Sequence, residues 1–165
     1  MNRAGLRFAL IFLACLAAFS VILHLDIVDA RFTVPMTTLV ARASSATLNL
    51  LGTDTHVDGT VLSGEGGFAV NILNGCNGVY ISAILVSAVL AFPATWRQRL
   101  AGLAVGIAGI QVVNLVRIVS LYLIGMKRPD LFNSFHLYVW QTGVIVVSMA
   151  IWIGWAEVVA RRPAR

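Results

Sequence analysis

The chain has 165 residues, of which 59% are hydrophobic and 12% charged, with 12 Lys and Arg against 7 Asp and Glu. That balance excludes an ordinary soluble domain and makes the lipid bilayer its main solvent. The net charge of +5 does not point to nucleic acid, because no Lys/Arg run is interleaved with aromatic residues and the basic residues scatter at helix ends.

Leu6 to about Leu25 is an apolar run of roughly 20 residues following Arg3 and Arg7, long enough to cross a ~30 Å hydrocarbon core. It exceeds a signal peptide's apolar region and no convincing A-x-A site follows, so a retained anchor is expected. From Pro35 to Leu51, Met36, Leu39, Val40, Ala43, Thr47, Leu50 and Leu51 recur at helical spacing, while Arg42, Ser44, Ser45 and Asn49 lie elsewhere. Arg42 would cost ~2.5–3.5 kcal/mol at the centre of a crossing, which predicts a helix lying in the interface. Whether residues 35–51 lie on the membrane or cross it sets the parity of everything downstream.

Residues 52–74 form the one sizeable soluble segment. Val57 to Leu62 and Phe68 to Ile72 are β-prone, and Ser63-Gly64-Glu65-Gly66-Gly67 between them is rich in turn formers, so a β-hairpin is expected. Three further apolar runs follow, at about Cys76 to Phe92, Leu100 to Gly125 and Phe135 to Val159, each long enough to span. The expected fold is an all-α polytopic membrane protein of a single domain over residues 1–165. It has about four transmembrane helices, one interfacial helix and a small extracytoplasmic β-hairpin.

With the amino terminus inside, Arg3, Arg7, Arg97, Arg99, Arg161, Arg162 and Arg165 are cytoplasmic, and Arg31, Arg42, Lys127 and Arg128 are outside, in keeping with the positive-inside rule. The acids run the other way: Asp26, Asp29, Asp54, Asp58, Glu65 and Asp130 fall outside and Glu157 near the inside.

Three polar residues then reach the outer face from three successive spans. Cys76 enters its helix in the first turn, with Asn74 as the expected N-cap, where free N–H groups and the helix dipole activate a thiol. Arg117 lies about eight residues before the outer end of its helix, roughly 12 Å deep, and Gln111, Asn114 and Arg117 follow at i, i+3 and i+6 as a polar stripe. On the same helix Gly102 and Gly106 form a G-x-x-x-G on which another helix can pack. His136 opens the last span, with Trp140 and Gly143 on its helical face. A thiol, an imidazole and a guanidinium suffice for acyl transfer: nucleophile, proton shuttle and fixed positive charge. Cys15 lies mid-membrane on another helix, so neither a disulfide nor a zinc set is expected, and no cofactor or metal is implied.

The Asn74-Gly75-Cys76-Asn77-Gly78 motif opening one membrane helix, Asn114-Leu115-Val116-Arg117 inside the next, and His136 opening the last resemble the Cys, Arg and His signature of the exosortase/archaeosortase family. The resemblance covers about Asn71 to Trp155 in matching order and spacing, and is most similar to exosortase H, a compact bacterial subgroup. It implies a membrane cysteine transpeptidase or peptidase of the cytoplasmic (inner) membrane with its site facing the periplasm. Its substrates would be PEP-CTERM-like carboxy-terminal sorting signals of exported proteins, comprising a short motif, a hydrophobic span and a basic tail. By that analogy Cys76 is the nucleophile, Arg117 the charge stabiliser and His136 the general acid/base, with Asn74, Asn77 and Asn114 as supporting residues. Larger family members carry more helices, which leaves oligomerisation open, and the acceptor nucleophile is not specified. The hairpin is placed to hold the recognition motif extended by adding a strand.

Two other readings fit the same residues: a non-enzymatic membrane assembly or export subunit, and a membrane thiol acyltransferase acting on lipid. A quinone-linked thiol oxidoreductase would need paired cysteines.

Overall fold

The structure, a computed structural model, describes residues 3–64 and 67–161. Glu65, Arg162 and Arg165, used above to orient the chain, lie outside the described residues. Helix α1 (Arg3–Leu23) is the first apolar run and, at 21 residues, is ~32 Å long. A short α2 (Asp26–Val28) and a π-helical segment (Asp29–Thr33) lead into α3 (Val34–Leu50), which carries Pro35 in its first turn, where the missing N–H is harmless.

The protein-facing side of α3 differs from the expected separation of apolar and polar faces. Thr37, Val40, Ala41, Ser44, Ser45 and Leu48 are buried, whereas Leu39, Leu50 and Leu51 are exposed. Small hydroxylic residues line the contact, as at helix interfaces in membranes, and Thr37 and Ser44 return their hydroxyls to the helix's own carbonyls.

Three antiparallel strands follow where a two-stranded hairpin was expected: β1 (Thr55–Asp58), β2 (Val61–Gly64) and β3 (Ala69–Asn71), in that order. The stretch read as one strand, Val57 to Leu62, folds back on itself because Gly59 takes φ 59° in a two-residue turn that sets Asp58 opposite Val61. Asn49 clamps β1 to α3, accepting from Thr55 N–H at 2.8 Å and donating to its carbonyl at 3.1 Å.

Helix α4 (Val79–Ala91) starts three residues later than expected and stops at Ala91, since Phe92 precedes Pro93 and is extended. Its 13 residues make ~20 Å, short of the ~17–25 residues of an ordinary crossing. Helix α5 (Trp96–Lys127) is longer than expected at both ends and begins at a capping box between Thr95 and Gln98. Only Arg128 separates it from α6 (Pro129–Ser134), a π-helical segment (Phe135–Trp140) and α7 (Gln141–Arg161), which form one 33-residue helical stretch. The loop expected before His136 is thus mostly helix, started by Pro129 and held by an Arg128–Asp130 ion pair at 2.9 Å. By length and apolarity α1, α5 and Pro129–Arg161 can cross a membrane, and α4 is a shorter apolar helix.

Two hydrophobic clusters organise the molecule. One joins α4, α5 and α7 through Leu85, Val89 and Ile110, with Trp152 and Trp155 against them. In this half Gly102 makes room for Trp155 and Gly106 for Leu85, so the G-x-x-x-G receives side chains from two different helices. The other cluster joins α3, the sheet and the far half of α5 through Leu48, Leu62, Ile72, Ile118 and Tyr122.

Candidate active site

Cys76 lies in the connection between β3 and α4, between two glycines of positive φ, Gly75 (97°) and Gly78 (78°). Those conformations interrupt the helix, so Cys76 precedes α4 and the expected first-turn position is corrected. Asn74 is likewise no N-cap: its side chain donates to Asp29 Oδ1 at 2.8 Å. Gly78 stands at the N-cap position, and Asn77 just before it supplies the side-chain bond, its Oδ1 accepting from Val79 N–H at 3.0 Å. Fully buried, Asn77 also donates to Thr37 Oγ1 at 2.8 Å, and the thiol-bearing loop is thereby tied to α3.

Arg117 and His136 converge on this loop. Arg117 is only 3% exposed, and its Nη2 donates to Cys76 Sγ at 3.7 Å. His136 Nε2 lies 3.8 Å from the same sulfur on the other partner helix. The positive group beside the thiol is therefore a guanidinium rather than a helix dipole. His136 sits in the π-helical segment, a geometry that shifts side-chain register within a helix and recurs at functional sites. The ring stacked on it is Phe132, four residues earlier, with centroids 5.9 Å apart and planes 4° apart.

Asn114 is buried one turn before Arg117 and makes no hydrogen bond through either amide atom. Arg117 Nε, His136 Nδ1 and Gln111 Oε1 are also buried without a protein partner. Of these residues, Arg117 and His136 line the cleft that holds the thiol, where an unpaired Nε and Nδ1 leave donors or acceptors available to a polar group. The site opens into a cleft of about 410 Å³ between β3 and the helical stretch carrying Phe132 and His136.

Of the residues expected from sequence, Cys76, Arg117 and His136 come together, Asn77 holds the loop, Asn74 bonds to Asp29, and Asn114 makes no side-chain hydrogen bond. Thr37, Asp29 and Phe132 were not anticipated. The i−4 spacing of Phe132 from His136 was a readable signal, whereas Thr37 stands 40 residues from its partner and had none.

A family model described as transmembrane exosortase matches residues 2–156 of the chain. No curated protein and no solved structure matches it.

Proposed function

The chain belongs to the transmembrane exosortase family, and from that premise we propose that it is a membrane cysteine transpeptidase or peptidase acting on PEP-CTERM-like carboxy-terminal sorting signals of exported proteins. The observation that carries this reading is the meeting of Cys76 Sγ with Arg117 Nη2 at 3.7 Å and His136 Nε2 at 3.8 Å, from three separate segments. Such distances are loose in an unliganded site and tighten around a substrate.

In the proposed cycle His136 Nε2 accepts the thiol proton as Sγ bonds to the scissile carbonyl carbon. The carbonyl electron pair moves to oxygen, and the Arg117 guanidinium faces that developing charge. Collapse breaks the C–N bond, His136 passes its proton to the departing amine, and a thioester remains on Cys76. An acceptor amine or water then attacks the thioester and gives its proton to His136, the C–S bond breaks, and His136 returns the proton to the departing sulfur to restore the thiol.

In this reading α1, α4, α5 and Pro129–Arg161 cross the cytoplasmic membrane. Arg7, Arg97, Arg99 and Arg161 lie inside and the thiol faces the periplasm. The substrate's apolar span rests in the bilayer beside these helices, which leaves its scissile bond at the level of Cys76.

The test is to co-express the chain with a secreted reporter that carries a short motif, an apolar span and a basic tail. Loss of the reporter's tail with wild type and its retention with Cys76→Ala, at equal membrane levels of enzyme, is the expected result. Equal processing by Cys76→Ala would overturn the proposal.

A further inference from the structure

β3 is an edge strand, and residues 69–71 form one wall of the cleft that holds the Cys76 thiol. Its pairing with β2 fixes what that edge offers. Gly64 N–H donates to the Phe68 carbonyl at 3.2 Å and Ile72 N–H to the Thr60 carbonyl at 3.0 Å. With Leu62 opposite Val70, residues 68, 70 and 72 therefore turn their backbone groups toward β2. The N–H and C=O groups of Ala69 and Asn71 point the other way, off the sheet. Phe132, Asn133 and His136 stand across the cleft.

Open edges are normally blunted by proline, charge or a bulge. The sequence from Phe68 to Leu73, Phe-Ala-Val-Asn-Ile-Leu, has neither a proline nor a charge. A row of free donors and acceptors at every second residue is complementary to another extended chain, and one laid on this edge runs past the thiol.

Direction follows from connectivity. β3 runs into the Cys76 loop and on through α4 into the bundle. A substrate whose exported domain lies outside and whose apolar span enters the membrane runs in the same sense. Resting on the processing reading above, the geometry points to the β3 edge as the docking site of the extended segment that precedes the substrate's apolar span. That segment is added as a strand parallel to β3 through the backbone of Ala69 and Asn71. Backbone bonds supply affinity without regard to sequence, and alternate side chains enter the cleft, where a short motif is read.

Disulfide trapping tests this in full-length protein carrying Cys15→Ala and Cys76→Ala. Ala69→Cys is paired with the same reporter carrying single cysteines scanned through the residues before its span. The expected result is crosslinking at alternate reporter positions with one clear maximum, and with Asn71→Cys that maximum moved two positions toward the span. A shift away from the span overturns the parallel sense. Crosslinks at consecutive positions, or none with a reporter that wild type cleaves, overturn strand addition while the processing reading stands. Alternating crosslinks to a reporter that wild type leaves intact support the docking strand and sink the cleavage reading. Independently, Ala69→Pro removes one outward N–H without touching the bonds to β2, and is expected to raise the apparent KM roughly fivefold with kcat little changed. A KM equal to that of wild type overturns the role of that N–H.

Discussion

The Cys76 sulfur has two nitrogen neighbours on different helices, and their chemistry is not interchangeable. Arg117 reaches it with one arm of a planar fork while its Nε stays buried and unpartnered. A lysine at this position keeps the charge but has no fork, and its strongly hydrated ammonium is costly to bury at 3% exposure. Arg117→Lys is expected to lower the initial rate of reporter processing by about 10²-fold, the scale of losing a placed donor to a developing oxyanion. Processing at wild-type rate, with the variant present in the membrane at normal levels, would show that the guanidinium does not serve the reaction. The chemistry of these residues was readable because charge and thiol are rare in apolar helices and stand out against them. The supporting contacts were not, since Asn77 meets Thr37 and Asn74 meets Asp29 across long stretches of chain.

At the scale of elements, the thiol is presented by a connection bent at two glycines rather than by a helix terminus. A Cβ at Gly75 would meet nothing within 4 Å, so only its φ of 97° penalises a side chain there. Gly75→Asn, a residue that tolerates positive φ, is expected to retain most processing, and Gly75→Val to lose it, with a stability cost of ~1–2 kcal/mol. Equal activity in the two variants, measured with the same reporter, would show that the loop backbone is not what aims the thiol. Each of the two Asn-Gly dipeptides here is a turn signal, and reading Asn74 as a helix cap overlooked that. Helix α3 teaches a related lesson. Its existence followed from apolar periodicity, but half of its buried positions, Thr37, Ser44 and Ser45, are hydroxylic, because small residues let backbones approach. Ser44→Leu, at a site with no exposure, is expected to cost ~1–3 kcal/mol and lower the melting temperature in detergent. Leu39→Ala, at a 60% exposed site, should melt near wild type, and the reverse order would mean that the face is assigned wrongly.

For the whole molecule, α5 is the ruler. Its 32 residues make ~48 Å, more than the ~30 Å of hydrocarbon, so the helix must project from the membrane. Gln98 is fixed at one end by Trp155, whose indole donates to its carbonyl at 3.0 Å, and Arg117 lies 19 residues further on, ~29 Å away. The site is thus one hydrocarbon thickness from the arginine-rich end, shallower than the roughly 12 Å depth expected from sequence because α5 extends beyond both expected ends. The sheet packs on the part of α5 that continues past Arg117, and α3 also meets Gln111 and Leu115 before it. The weak point is α4, whose ~20 Å falls short of that thickness. It can still cross, because the irregular backbone of 73–78 is bound to α3 and to Asp29 of the π-helical segment before it rather than left facing lipid, and local thinning takes up a few ångströms more. Single cysteines at Asp58, Arg97 and Arg128, in protein carrying Cys15→Ala and Cys76→Ala, decide the matter with a membrane-impermeant maleimide on intact spheroplasts. Positions 58 and 128 are expected to label at once and position 97 only after permeabilisation. Labelling of 97 together with 58 from outside would mean that α4 does not cross. Arg97 and Arg99 would then sit on the thiol's side of the membrane, and the positive-inside argument that orients the site would lose its main support.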